Sequence, residues 1–185
     1  WTYDVAGRGT QTRQTPNGNT EVTTYAYDAQ DRLTTETQPS GSQIDYGYDA
    51  AGNRTTLTTT VNGVSRTVHY SFDALNRLAT VTDLNGTTTY AYDAVGNRES
   101  VTQANEVTTT YSYDSLNRLT ELQSQNSSDV VLTRFTYTLG ATGRREKTEE
   151  LSGRVTDYVY DDLYRLTNEQ ITDPQNGNYS ASYQY

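Results

Sequence analysis

The chain contains no cysteine and no methionine, and it has only three prolines and one histidine among its 185 residues. Without cysteine it can form neither disulfides nor thiolate zinc sites, and thiol catalysis is excluded. Hydrophobic residues make up 32% of the sequence, and no apolar run is long enough to span a bilayer or to form a signal peptide. The net charge of −9 also disfavours nucleic acids and anionic membranes, because both attract Lys and Arg. We therefore expect no nucleic-acid partner and no membrane span.

The sequence is rich, by contrast, in regularly spaced aromatic residues. Of its 17 tyrosines, two phenylalanines and one tryptophan, all but two lie in pairs whose members are separated by one residue. The pairs recur about every 23 residues, and such a period is typical of repeat proteins whose units pack against their neighbours. The pairs are Trp1/Tyr3, Tyr25/Tyr27, Tyr46/Tyr48, Tyr70/Phe72, Tyr90/Tyr92, Tyr111/Tyr113, Phe135/Tyr137, Tyr158/Tyr160 and Tyr183/Tyr185.

A turn motif follows most of the pairs: Asp, two or three variable residues, then Gly or Asn in most copies, and then Arg. Asp favours turns because its carboxylate accepts hydrogen bonds from the backbone ahead of it, and Gly and Asn tolerate positive φ. In two copies the Arg comes one residue later, which predicts a turn one residue longer. The residues assigned to the structural repeat motif are Tyr3, Asp4, Arg8, Tyr25, Tyr27, Asp28, Arg32, Tyr46, Tyr48, Asp49, Arg54, Tyr70, Phe72, Asp73, Arg77, Tyr90, Tyr92, Asp93, Arg98, Tyr111, Tyr113, Asp114, Arg118, Tyr158, Tyr160, Asp161 and Arg165.

A second turn lies half a period away and is marked in several copies by Asn-Gly, the strongest short hairpin signal. The residues between turns are mainly Thr, Val, Tyr and Leu, which favour strands, and helix signals are missing. The pattern predicts an all-β fold of antiparallel hairpins, with both rings of a pair on one face of a strand. We expect residues 1–185 to form a single array of about eight units, and to be a piece of a longer chain.

The unit resembles the RHS repeat, also called the YD repeat. Residues 27–34 (YDAQDRLT) and 113–120 (YDSLNRLT) are close to the family pattern, and the resemblance covers essentially the whole chain. The family includes bacterial RHS and wall-associated polymorphic toxins, insecticidal toxin-complex subunits and animal teneurins. The resemblance implies a long antiparallel β-strip that curves or spirals into part of a hollow shell. In the bacterial members such shells enclose a toxic polypeptide, and in teneurins they contribute to extracellular adhesion.

No residue is set apart for catalysis or for holding a metal or cofactor. The motif aspartates recur in almost every unit, as structure requires, whereas an active site is needed once; we expect them to cap turns and to pair with Arg. His69 has neither Cys nor a second His to complete a metal site. The shells of bacterial relatives end in a core with an autoproteolytic Asp pair, but Asp173-Pro174 lies where an ordinary second turn is expected.

We therefore expect a protein that is not an enzyme and needs no cofactor: a structural RHS-repeat segment of a secreted or cell-surface protein. It would form part of a β-sheet shell that encapsulates or presents a toxin or another polypeptide. Two alternatives remain open. One is an extracellular adhesion module whose tyrosines bind glycans, and the other is a scaffold in which open strand edges pair with neighbouring chains to form rings or filaments.

Overall fold

The computed structural model describes residues 1–185 and is all-β. It has seventeen strands, and the only helical element is a three-residue 3₁₀ turn at Pro16–Gly18. The chain divides into two compact units, Trp1–Thr89 and Tyr90–Tyr185. Within each unit the strands pair antiparallel with the strands before and after them. The predicted fold class, an antiparallel hairpin repeat, is confirmed, whereas a single uninterrupted array over residues 1–185 stays a prediction.

The first unit contains β1 to β8 and most of β9, in which the boundary between the units falls. The strands are β1 (Thr2–Tyr3), β2 (Gly9–Gln14), β3 (Glu21–Tyr27), β4 (Leu33–Thr37), β5 (Gln43–Tyr48), β6 (Arg54–Val61), β7 (Val64–Phe72), β8 (Leu78–Asp83) and β9 (Gly86–Tyr92).

The second unit contains β10 to β17. These strands are β10 (Arg98–Thr102), β11 (Thr108–Tyr113), β12 (Leu119–Gln125), β13 (Val131–Leu139), β14 (Arg145–Glu150), β15 (Val155–Tyr160), β16 (Leu166–Thr172) and β17 (Tyr179–Ser182). The last aromatic pair departs from the expected pattern, because Tyr183 and Tyr185 lie beyond the end of β17.

One face of each unit carries the aromatic and aliphatic side chains. In the first unit Tyr46 lies opposite Leu57, and Leu57 lies opposite Val68 on the next strand. One strand further on, Tyr70 lies opposite Val81. Rings and aliphatic side chains therefore lie beside one another on neighbouring strands, and cross-strand pairs of this kind each contribute roughly 0.2–1 kcal/mol.

The opposite face of each sheet is polar and is dominated by threonine. Several of its cross-strand neighbours are hydroxyl pairs that hydrogen-bond to each other, such as Thr58 with Thr67 at 2.8 Å. In the second unit Thr102 pairs in the same way with Thr108 at 3.0 Å. This face meets its hydrogen-bonding needs partly within the sheet and needs no apolar cover.

The sheet of each unit is a single layer. The strands of each unit belong to one hydrogen-bonded sheet, and all substantial backbone contacts within a unit join strands that are neighbours in the chain. Ile171 is the one buried hydrophobic residue, at 3% exposure. The accessible surface is 11978 Å², whereas a compact protein of this mass exposes about 8,900 Å². The aromatic side chains are consequently half-buried rather than enclosed in a core.

Candidate functional site

One five-residue turn, used at both ends of the hairpins, is the most frequently repeated structure in the chain. Its first residue donates its backbone N–H to the carbonyl of the fifth, and its fourth residue donates to the carbonyl of the first. The fourth residue has φ between 58° and 100°, as in three-residue hairpin loops that end in a left-handed residue. Twelve turns share this pattern, and their first residues are Asp4, Asp28, Gln38, Asp49, Asp73, Asp93, Gln103, Asp114, Asn126, Gly140, Glu150 and Asp161.

The prediction of a longer turn in two copies was wrong. The turns that begin at Asp49 and Asp93 also have five residues, because Asn53 and Asn97 occupy the fifth position. The following Arg is displaced into the next strand, so that Arg54 is the first residue of β6. The extra residue therefore changes which side chain closes the turn and leaves the loop geometry unchanged.

The Asp of the motif accepts three hydrogen bonds inside its own turn. In the copy that begins at Asp28, Oδ1 accepts from the backbone N–H groups of Gln30 and Arg32, and Oδ2 accepts from Arg32 Nε at 2.7 Å. The backbone N–H of Arg32, with its guanidinium, holds the pKa of the Asp28 carboxyl below its ordinary value. Four other turns have the same ion pair, Asp4–Arg8, Asp73–Arg77, Asp114–Arg118 and Asp161–Arg165.

The arginine also reaches the neighbouring turn along the same edge of the sheet. Arg32 Nη1 donates to the carbonyl of Asp49 at 3.0 Å, and Arg8 Nη1 donates to the carbonyl of Asp28 at 3.1 Å. In the second unit Arg118 Nη1 donates to the carbonyl of Gly140 at 2.9 Å. Each arginine therefore bridges its own aspartate and the backbone of the next turn.

Where Asn closes the turn, an amide replaces the guanidinium. Asn53 Nδ2 donates to Asp49 Oδ2 at 3.0 Å and to Asn76 Oδ1, in the next turn, at 2.9 Å. Arg54, which is released from this role, lies over the ring of Tyr70, with Cζ 5.1 Å from the ring centroid. The displaced Arg98 lies in the same way over Tyr90, at 5.5 Å.

The second tyrosine of the pair joins the same network. The guanidinium of Arg32 lies 4.6 Å from the ring centroid of Tyr48, a cation–π contact. The hydroxyl of Tyr48 donates to the carbonyl of Leu33 at 2.8 Å. Leu33 lies two residues before Thr35, where the ladder between β4 and β5 begins. The tyrosine thus spans a gap in which two strands have separated and satisfies a carbonyl that the ladder leaves free.

Three further tyrosines make the same contact. The hydroxyls of Tyr27, Tyr113 and Tyr160 donate to the carbonyls of Gly9, Arg98 and Arg145 at 2.8, 3.0 and 2.8 Å. In each case the accepting residue lies two positions before the ladder begins. Burial raises the pKa of the Tyr113 and Tyr160 hydroxyls, which keeps them protonated as donors.

Three turns of this site lack the residues that the sequence pattern led us to expect. The turns over residues 103–107 and 126–130 have the same geometry but contain no Asn-Gly or other Gly pair, since Glu106 and Asp129 provide the left-handed residue. Their only signal is an Asn, at positions 105 and 126, whose side chain accepts from the turn backbone. The turn over residues 150–154 replaces Asp with Glu, and Glu150 pairs with Arg154 at 3.4 Å.

The remaining candidate residues lie in ordinary positions. His69 is exposed on the polar face, between Thr56 and Thr82 on the adjacent strands. Asp173 caps the last turn by accepting from the backbone N–H groups of Gln175 and Asn176. No group of three or more His, Asp or Glu side chains comes together as a possible metal site. The chain also has no helix with the length and apolar character needed to cross a membrane.

Comparison with known proteins places this geometry in a family. The RHS Repeat family model matches residues 3–43, 27–65, 72–106 and 92–127, which together cover more than half of the chain. No curated protein sequence matches. Among solved structures, the chain is similar to the crystal structure of TcdB2-TccC3-Cdc42, with a TM-score of 0.76 and 16% identity over 89% of this chain and 10% of that one.

It is similar as well to TcdB2-TccC3 without its hypervariable C-terminal region, with a TM-score of 0.75 and 17% identity over 89% of this chain and 10% of that one. The chain thus spans about a tenth of the length of these structures, and at this level of identity the similarity shows the fold. The family assignment made from the Tyr-Asp motif is confirmed: the chain belongs to the RHS repeat family.

Proposed function

We propose that the chain is a structural segment of a secreted or cell-surface RHS protein, in which it forms part of a β-sheet shell around a toxin or another polypeptide. The observation that carries this proposal is the single-layer sheet with one aromatic face and one polar face. Such a sheet leaves its apolar face half-exposed, and a polypeptide enclosed on that side would cover it. The structural similarity to TcdB2-TccC3 supports the proposal at the level of fold.

The recurring polar residues support a structural role over a catalytic one. The motif aspartates accept hydrogen bonds from their own turns, and their arginines bind the neighbouring turn or stack on a ring. We accordingly propose that the chain is not an enzyme. A panel of hydrolase substrates should show no turnover, and turnover that is lost on replacing one turn aspartate by Asn would refute this.

The glycan-binding alternative is less favoured by the geometry of the rings. A sugar binds an aromatic side chain by stacking on its face, and guanidinium groups already lie over several rings of this chain. Arg8 covers Tyr27 at 5.1 Å and Arg32 covers Tyr48 at 4.6 Å. These rings have one face fewer to offer to a ligand.

The shell proposal is tested by asking which face of the sheet receives an unfolded polypeptide. The probe is a fluorescently labelled model protein that is kept unfolded by reduction and carboxymethylation, and its binding is measured by anisotropy. Val81→Thr makes the aromatic face more polar, and Thr80→Val makes the opposite face more apolar with nearly the same side-chain volume. We expect Val81→Thr to weaken binding and Thr80→Val to leave it unchanged. No binding by the wild-type chain, or equal effects of the two changes, would contradict the proposal.

A further inference from the structure

The third position of the turns at the Asp edge carries exposed apolar side chains. In the second unit these are Val95, Leu116 and Leu163, which are 71%, 67% and 71% exposed. Each is held in place because its backbone N–H donates to Oδ1 of the turn aspartate, at 2.9 to 3.0 Å. A turn needs no apolar residue at this position. These side chains are rigidly presented to solvent without contributing to the fold.

The opposite edge of the same unit contains an apolar notch. β13 begins at Val131, but its pairing with β14 stops at Phe135 opposite Glu150, so the first residues of β13 are flanked on one side only. The turn after β14 folds back here, with Leu151 N–H donating to the carbonyl of Arg134 at 2.9 Å. The step between the strands leaves an open cavity of about 300 Å³.

The lining of the notch is mainly apolar, and its two charged residues are Glu150, which is already paired with Arg154, and Arg134. Leu132 and Leu151, which are 48% and 42% exposed, form its walls together with Phe135. Arg134 lies at the rim, is exposed, and takes part in none of the salt bridges of the chain. The notch therefore favours an apolar side chain that is accompanied by a carboxylate.

Four turns place an aspartate directly before an exposed aliphatic side chain: Asp4–Val5, Asp83–Leu84, Asp129–Val130 and Asp162–Leu163. The carboxylates of Asp4, Asp83 and Asp129 already accept hydrogen bonds from nearby residues, which leaves Asp162 as the carboxylate that is available to Arg134. Asp162 immediately precedes Leu163, and both are exposed, whereas Ser115 precedes Leu116 and Ala94 precedes Val95. The Asp162–Leu163 tip is also braced from the side, because Arg144 of the neighbouring turn lies 4.3 Å from the ring centroid of Tyr164. The tip and the notch lie on opposite edges of the unit, so contacts between adjacent strands of one copy do not bring them together.

We propose that the Asp162–Leu163 tip of one copy docks into the Leu132/Leu151 notch of a second copy, with Asp162 facing Arg134. The contact joins two different surfaces, so it is heterologous and leaves a free tip and a free notch at the ends of every assembly. Association would therefore continue beyond the dimer as concentration rises. This edge-to-edge contact is independent of whatever the aromatic face covers.

Sedimentation velocity of the 185-residue chain over a range of concentrations tests the proposal. Leu163→Asn should raise the dissociation constant about ten-fold or more, because a polar side chain replaces a leucine that the proposed contact would bury. Leu116→Asn is the matched control: it changes the same position of an equivalent turn, and it should leave association unchanged. Circular dichroism of both variants confirms that the sheet is intact.

Charge reversal tests the pairing of the two edges. Arg134→Glu and Asp162→Arg should each weaken association, and the double variant should restore it; association of the wild-type chain should also weaken with added salt. A chain that stays monomeric at every concentration would overturn the proposal. Association that persists in Leu163→Asn and in Arg134→Glu would overturn it too, and would indicate pairing through the open strand edges instead.

Discussion

Phe72 is the only phenylalanine at the second position of an aromatic pair, and it provides a gain-of-interaction experiment. In four other copies a tyrosine at this position donates to a carbonyl two residues before the ladder begins. On the strand that precedes β7, the ladder begins with Thr56 opposite His69, so the corresponding carbonyl belongs to Arg54. The change Phe72→Tyr should place a hydroxyl at this carbonyl and stabilise the fold.

The magnitude follows from the equivalent contact of Tyr48. Its hydroxyl donates to Leu33 over 2.8 Å from a half-buried position, and the net contribution of such a bond is about 0.5–1.5 kcal/mol. Phe72→Tyr should therefore raise the free energy of unfolding by about 1 kcal/mol, and Tyr48→Phe should lower it by about the same amount. In a chain of this length, 1 kcal/mol shifts the thermal midpoint by about 2–4 °C.

Thermal and urea unfolding followed by circular dichroism give the global values, and amide hydrogen exchange in β6 and β7 shows whether the change is local. The local measurement matters because repeat arrays need not unfold in a single step. A cost for Tyr48→Phe without a gain for Phe72→Tyr would refute the claim that the two sites are equivalent. If neither change had an effect, the tyrosine hydroxyls would not stabilise the separated strands at all.

Two further predictions concern the turns. Glu106 adopts φ of 64° at a position where the equivalent turn has Asn117. We expect Glu106→Asn to raise and Asn117→Glu to lower the free energy of unfolding, each by about 1 kcal/mol. Urea unfolding of both variants measures this, and changes of the same sign would contradict the prediction. The pKa of every motif aspartate, Asp4, Asp28, Asp49, Asp73, Asp93, Asp114 and Asp161, is lowered in the folded chain, so their stabilising contribution is present above the unfolded value near pH 4 and is lost as pH falls through the folded values. The thermal midpoint should thus change little between about pH 7 and 5 and fall below about pH 4, whereas a midpoint that rises on acidification would show that relief of negative repulsion outweighs the turn bonds.

The fold could be predicted from the sequence because residue spacing, turn composition and repetition all indicate the same architecture. The spacing of Tyr25 and Tyr27 is that of one face of a strand, and the Asp28 turn that follows has the composition of a tight connection. Repetition of this unit then leaves few architectures other than a hairpin array. Even the stacking of Trp1 on Tyr25, at 5.8 Å between ring centroids, agrees with the expected common face.

The contacts between turns could not be predicted in the same way. Spacing suggested that Arg32 belongs with Asp28, but its second bond, to the carbonyl of Asp49, depends on how far apart two turns lie along the edge of the sheet. The acceptor is a backbone atom, so no side chain in the sequence marks it. The equal length of the Asn53 turn was missed for a related reason: an Asn amide can replace an Arg guanidinium, and the pattern alone does not reveal the exchange.

The use of a backbone acceptor explains how the array tolerates the loss of a motif residue. The turn that begins at Gly140 has no Asp, yet the incoming bond from Arg118 is kept, since it needs only the Gly140 carbonyl. The contacts of the turn's own arginine differ from those in the other copies. Arg144 has no aspartate to pair with; it donates to Thr142 Oγ1 at 3.1 Å and stacks on the rings of Tyr160 and Tyr164. In a sheet without a second layer, stability depends on contacts between neighbouring turns and strands. The carbonyl of such a turn still accepts a hydrogen bond from the guanidinium of the preceding turn, and its own arginine still stacks on neighbouring rings. The turn can therefore lose its carboxylate without breaking the chain of contacts between turns.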